Sequence, residues 1–282
     1  MLRRGASGWL WLRVSATVIG FAAIVIFAVV AWLYFSQHSM IYHPRPYIGA
    51  YAHAFQPNGW QLDYTLPFGT QSAYYIPNGP AEPRRVWVAF CGNGSLALDW
   101  LSFLKGYPPN GDGFLLVDYP GYGRNSGYAS VQSTRATAEA ALKALGTRLN
   151  REPDRLRLAV IGHSLGAAAA LDFAAHHPVE RAVLIAPFTT LREEAARVVG
   201  GPLSRILVDN YDNRDNLRTV LARNPGVQIA IFHGTDDDVI PVRMGRELKE
   251  QFSSVEFVPV QGADHVSVLD WARNDIISYM TR

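Results

Sequence analysis

What this chain lacks narrows its function first. It holds one cysteine, Cys91, among 282 residues. A lone cysteine makes no internal disulfide, and no Cys/His spacing of the structural-zinc kind is present. Neither sign of charge dominates: 26 Lys and Arg stand against 24 Asp and Glu, a net charge of +2. There is no basic run and no interleaving of basic with aromatic residues, which argues against nucleic acid as a partner.

One thing is abundant in one place. From Val14 to Phe35 no residue carries a charge. At about 1.5 Å per residue this run crosses a bilayer core of about 30 Å. Trp9, Trp11, Trp32 and Tyr34 stand where interfacial aromatics belong. Arg3, Arg4 and Arg13 precede the run, so the positive-inside rule puts the N-terminus in the cytoplasm and the rest on the outer side of the membrane. A cleaved signal peptide, processed near Val29-Val30-Ala31, is the rival reading. The apolar run is longer than a signal h-region of about 7–15 residues, which favours an uncleaved anchor. The expected division is therefore a cytoplasmic N-terminus over 1–13, a transmembrane anchor over 14–35, a Pro-rich juxtamembrane connector over 36–59, and a catalytic-sized domain over 60–282.

The domain is organised around Leu158-Ala159-Val160-Ile161-Gly162-His163-Ser164-Leu165-Gly166 and the alanine run after it. A short apolar run reads as a buried strand and Ala167 to Leu171 as helix. Between them lies G-x-S-x-G. A serine on so sharp a turn projects its hydroxyl above the sheet, and the new helix aims its first N–H groups at the same spot. The same alternation recurs from residue 86 onward. Strands are expected over Val86–Phe90, Phe114–Val117, Ala182–Ile185, Val227–Phe232 and Val255–Val260, with helices between them. Trp60 to Pro77 reads as an edge hairpin turning at Gly69. This pattern argues for an α/β fold with a parallel sheet covered on both faces. Reactive groups in such sheets gather at the carboxyl ends of the strands. Here those ends carry Asn93, Ser164, Asp237 and His265.

A serine hydroxyl needs a base within reach at neutral pH. Eight histidines compete. His265 follows the last strand in a Gly-containing loop able to bring its ring over the sheet edge. His38, His43 and His53 are juxtamembrane, His176 and His177 end the elbow helix, and His163 is expected to point away from the site. His233 ends a strand whose following loop reads as the acid-bearing one. That loop holds Asp236, Asp237 and Asp238, and pattern alone does not choose among them, though Asp237 is the candidate. The oxyanion hole needs two backbone N–H groups. The Leu165 N–H is one; Asn93 is the first candidate for the other, with Gly94 second.

Taken together these residues resemble the α/β-hydrolase superfamily from about Trp60 to Arg282. The matching pieces are Phe90-Cys91-Gly92-Asn93-Gly94, Asp118-Tyr119-Pro120-Gly121-Tyr122-Gly123, Gly162-His163-Ser164-Leu165-Gly166, His233-Gly234-Thr235-Asp236-Asp237 and Gly262-Ala263-Asp264-His265. The chain is most similar to the subgroup with an N-terminal anchor followed by Tyr-x-Pro, here Tyr42-His43-Pro44, which includes lipases and acyl thioesterases. The resemblance implies a mostly parallel, eight-stranded type of sheet with a minimal cap. It puts the acid four residues after His233, on Asp237. It implies a serine hydrolase of lipid, acyl-protein or small esters, working without a metal or organic cofactor. Cys91 stands where the family usually has histidine. Amide substrates, acyl transfer to an acceptor other than water, and a non-catalytic binding role remain open on sequence. Residues 189–215 are expected to shape the acyl pocket, because they follow a strand end beside the site.

Overall fold

The computed structural model describes residues 6–79 and 82–282. Arg3 and Arg4, which carry part of the orientation argument, lie outside them. The first element is one long helix, α1 (Ala6–Ile41). Its segment Trp11–Ile41 is long and apolar enough to cross a bilayer. The helix does not stop at Phe35, where the charge-free run ends. It continues six residues further, because nothing from Ser36 to Ile41 breaks it: the first proline is Pro44.

The Pro-rich segment after α1 is bonded to the domain along its length. The Gly123 N–H donates to Arg45 O at 2.9 Å, and Pro46 forms an isolated bridge with Gly123. Tyr47 Oη donates to Asp118 at 2.6 Å, and Tyr42 Oη to Asp209 at 2.5 Å. The polar tips of these tyrosines find carboxylate acceptors, the buried Asp118 and the half-buried Asp209, while their rings bury apolar area, which a free linker does not do.

The sheet has eight strands: β1 (Trp60–Leu66), β2 (Gly69–Pro77), β3 (Arg85–Phe90), β4 (Asp112–Val117), β5 (Leu158–His163), β6 (Arg181–Ile185), β7 (Gln228–Gly234) and β8 (Glu256–Val260). Their spatial order is β1-β2-β4-β3-β5-β6-β7-β8. β1 and β2 form the expected antiparallel hairpin, and β2 pairs antiparallel with β4. Every other neighbour is parallel. All residues of β3, β4, β5 and β6 are buried, as the continuous apolar runs require of strands covered on both sides.

The helices after α1 are α2 (Trp100–Leu104), α3 (Val131–Leu149), α4 (Leu165–His176), α5 (Leu191–Val199), α6 (Gly201–Ser204), α7 (Asn213–Arg223), α8 (Val242–Gln251), α9 (Val268–Trp271) and α10 (Arg273–Thr281). Ser130 caps α3 by accepting from the Ser133 N–H at 3.0 Å, as its place in the sequence predicts. α4 packs on β3, β5 and β6, and α8 on β7 and β8. Buried charges at the strand starts are satisfied rather than stranded. Arg85 donates to Met280 O and Arg181 to Tyr279 O, at 3.0 and 2.9 Å, tying β3 and β6 to α10. The strand ends opposite these arginines hold the site.

Candidate functional site

The site begins with a backbone that only glycine permits. A Cβ on Gly162 would lie 2.0 Å from Gly166 O, and one on Gly166 would lie 2.3 Å from Phe90 O. β5 and α4 can therefore meet in a turn tight enough to hold Ser164 at φ 57°, ψ −122°. That is a strained conformation for a side chain with a Cβ, and the surroundings enforce it. The Ser164 N–H donates to Ile185 O at 2.8 Å on the neighbouring strand end. Its side chain is half-buried at the start of α4.

Asp237 and His265 come from loops 28 positions apart and meet at 2.7 Å, Oδ2 to Nδ1. The Asp237 side chain is wholly buried, whereas Asp236 and Asp238 are exposed. Its other oxygen accepts from the Val239 and Ile240 N–H groups at 3.0 and 2.8 Å. Burial alone would push this carboxyl up. Hydrogen bonds from His233 and His265, with the Ile240 N–H, outweigh burial and hold it well below the usual carboxylate range. An ionised Asp237 only accepts, so the proton on His265 sits at Nδ1 and Nε2 is left with a free lone pair.

Two histidines set aside on sequence stand beside this pair. His163 was expected to point away. It does stay out of the cavity that Ser164 and His265 line, yet its ring lies 4.8 Å from the His265 ring, and its Nε2 donates to His265 O at 2.8 Å. His163 is the last residue of β5 and is buried there, its ring satisfied by that carbonyl. Burial lowers its pKa to about 4, with the neighbouring His265 adding to the effect, so the ring is neutral at pH 7. His233 is fully buried. Its Nε2 is 2.8 Å from Ile240 O and 3.4 Å from Asp237 Oδ2. Its position four residues before Asp237 was the available signal; its packing was not.

Neither the Leu165 nor the Asn93 N–H has a protein acceptor among the described residues. Asn93 is held from three directions. Its carbonyl accepts from Tyr122 Oη at 2.6 Å and from the His43 N–H at 3.3 Å, and its Nδ2 donates to Ile41 O at 3.1 Å. Tyr122 Oη also accepts from the His43 N–H at 2.7 Å. Gly94, the second candidate, is exposed. Cys91 is buried, with Sγ 3.2 Å from Ser95 O. Burial pushes its thiol up, so it stays protonated and a poor nucleophile.

Asn93, Ser164, Leu165 and His265 share one cavity of about 430 Å³. Away from that polar end the lining is mostly apolar, with Gln37, Glu194 and Ser204 as the polar exceptions. Residues 189–215 form one wall, as expected, through α5, α6 and Leu207. The other wall was not anticipated: it is the end of α1, through Leu33, Gln37, Met40 and Ile41. Among the described residues no three His, Cys, Asp or Glu side chains gather as a metal site.

The strand order, the strained serine between β5 and α4, and the acid–histidine pair at the ends of β7 and β8 define an α/β-hydrolase fold. The chain belongs to the alpha/beta hydrolase family, whose model matches residues 87–224. It is 30% identical over 254 residues to the Mycobacterium tuberculosis protein Rv2307c, covering 88% of this chain and 87% of that one. Among solved structures it resembles the Pyrococcus furiosus esterase Pf2001, with a TM-score of 0.64 at 16% identity over 86% of this chain and 96% of that one. An alpha-beta hydrolase from Vibrio vulnificus also gives 0.64, at 17% identity over 83% and 88% of the two chains.

Proposed function

We propose that this protein is a membrane-anchored serine hydrolase that cleaves carboxylic esters or thioesters through Ser164, His265 and Asp237. The observation that carries the reading is the buried 2.7 Å contact between Asp237 and His265 Nδ1, in a cavity that also holds Ser164 on its strained turn. Ser164 Oγ attacks the substrate carbonyl carbon while its proton passes to His265 Nε2. The negative charge on the carbonyl oxygen falls to the Asn93 N–H, in the loop after β3, and the Leu165 N–H at the start of α4. The tetrahedral adduct collapses, the C–O or C–S bond breaks, and the leaving group takes the proton from His265. Water then attacks the acyl-serine, His265 accepts its proton, and the carboxylic acid leaves as Ser164 is restored. Asp237 holds the imidazole tautomer and stabilises the imidazolium.

No hydrogen bond joins Ser164 Oγ to His265 among the described residues; such contacts commonly tighten only when substrate seats. The anchor reading keeps α1 in the bilayer with Arg13 and the residues before it in the cytoplasm and the hydrolase domain on the outer side. The test uses the full chain in detergent micelles with p-nitrophenyl esters from acetate to palmitate. Hydrolysis that disappears in Ser164→Ala, together with fluorophosphonate labelling of the wild type alone, is the expected result. A wild type silent toward every ester and unlabelled by the fluorophosphonate would overturn the proposal.

A further inference from the structure

The membrane helix does more than end near the site. Leu33, Gln37, Met40 and Ile41 face the cavity, at spacings i, i+4, i+7 and i+8 along α1. That spacing is a single stripe on one side of a helix. Opposite it, Leu191, Ala195, Val198 and Val199 of α5 repeat the same i, i+4, i+7, i+8 pattern. Glu194 of α5 and Gln37 of α1 also line the cavity, so two largely apolar helix faces, each with one polar residue, enclose the space that leads to Ser164.

The stripe on α1 starts inside the charge-free run. Leu33 is 7% exposed, whereas Trp32 and Phe35 beside it are 61% and 81% exposed and so face the surroundings of the helix. From Leu33 to Ile41 the helix rises about 12 Å, joining the apolar span directly to the catalytic end. At the other side of the mouth, Val198 is 73% and Val239 51% exposed, yet both line the cavity. Val208, 68% exposed, is held to α1 by a 2.8 Å bond from its N–H to Gln37 Oε1. An apolar rim of this kind around an apolar cavity suits contact with lipid rather than water. The rim lies against a helix whose own apolar span ends there. About 430 Å³ is towards the small end for ligand pockets, suited to one chain rather than a branched or two-chain ligand.

We propose that the last turns of the anchor helix are a substrate-binding wall, and that the cavity takes the single fatty-acyl chain of a membrane lipid ester directly from the bilayer along the Leu33–Ile41 face. This rests on the serine-hydrolase reading above and adds to it the substrate class and the route of entry. The anchor thereby selects chain length as well as location. Each methylene seated in the cavity is worth about fourfold in kcat/KM. The chemistry at the carbonyl is unchanged by the length of the chain behind it.

The test uses the full chain in phosphatidylcholine nanodiscs, with Leu33→Trp and Met40→Trp to fill the channel and Phe35→Trp on the opposite face as control. If the ring denies burial to three methylenes, kcat/KM for p-nitrophenyl palmitate falls roughly fiftyfold while p-nitrophenyl acetate stays within about twofold. Phe35→Trp changes neither. A palmitate-to-acetate ratio unchanged in both filling variants would overturn the proposal. A readout independent of turnover uses Ser164→Ala with a palmitate analogue carrying a diazirine at its chain end. Crosslinks at Met40, Ile41 or Val199 support the wall; crosslinks confined to lipid-facing Phe27 and Phe35 sink it, whatever the esterase assay gives. Esterase silence with crosslinks inside the cavity would fail the serine-hydrolase reading alone. Faster turnover of 1-palmitoylglycerol in the disc than of an S-palmitoylated peptide is expected of a lipid source; the reverse would overturn that source.

Discussion

The two ends of the cavity are built on opposite principles. At the polar end, Asp237 accepts from Val239, Ile240 and His265, His163 pins the His265 carbonyl, and Asn93 is held by Tyr122, His43 and Ile41. At the apolar end, the α1 and α5 stripes line the cavity with few directional bonds, that from Val208 N–H to Gln37 among them. Directional bonds fix atoms to tenths of an ångström, which acyl transfer demands. Apolar contact is non-directional and tolerates small changes of shape. Changes at the polar end should therefore lower turnover of every substrate alike. Changes at the apolar end should redistribute activity among chain lengths.

The largest expected effect breaks the polar end. Asp237→Asn should reduce kcat by roughly 10⁴, equally for acetate and palmitate esters, with the far-UV circular dichroism unchanged. A loss that falls mainly on long chains would erase the distinction between the two ends.

Asp118 sharpens the comparison from beneath the polar end. It accepts from the Ala97 N–H at 2.7 Å and from Tyr47 Oη at 2.6 Å. Burial, opposed by these bonds, pushes its pKa up to about 6. The folded state therefore binds the proton more tightly than the unfolded chain. The stability so gained is full below about pH 4 and is lost, by about 3 kcal/mol, as pH rises through 6. His163 acts the other way. Its folded pKa of about 4 is below that of an unfolded histidine, so its contribution is present above about pH 6.5 and lost as pH falls. The two slopes offset in the wild type. Asp118→Asn should leave a melting temperature that climbs from pH 4 to pH 7; a thermal-shift series in which the variant parallels the wild type would refute this.

A smaller loss is expected from Tyr122→Phe. It removes the hydroxyl that bridges Asn93 O and the His43 N–H, at a cost of about 1–3 kcal/mol in stability. With Asn93 less firmly held, kcat should fall roughly tenfold with little change in KM and no change in the chain-length optimum. A shifted optimum would mean that the α1 wall and the oxyanion loop are one unit rather than two. Smallest of all is Cys91→Ala. The buried, protonated thiol contributes packing, so activity should stay within about twofold, and iodoacetamide at pH 8 should leave the wild type active. Inactivation by alkylation would give the polar end a member left out here.

Much of this was legible along the chain because its causes are local. Gly162 is demanded by a contact with Gly166, four residues on, although Gly166 itself is demanded by the backbone of Phe90 on the neighbouring strand. The unbroken apolar strands announce a sheet buried on both faces, and that sheet is there, with the hairpin at its edge. His265 stood out because it follows a strand end, and parallel strands bring their ends to one side; among the three aspartates only the family resemblance singled out Asp237, the one whose side chain meets His265. Three features were not legible. His163 and His233 looked dispensable because each has the same local sequence whether or not another loop crosses above it. The segment after Phe35 looked like a connector because Pro44, Pro46 and Pro57 mark irregular chain, and proline content says nothing about what the irregular chain rests on.

The alternation of strands and helices, the turn at Ser164 and the long apolar run near the N-terminus can be read along the chain, since propensity, periodicity and short-range contacts act within a few residues. Long-range packing is what brings Ile41 and His43 to Asn93, sets α1 and α5 around one cavity, and carries the apolar run on into the wall of that cavity. Those contacts join residues tens to well over a hundred positions apart. No local preference encodes them; they exist because packing the whole domain leaves those faces nowhere else to be buried.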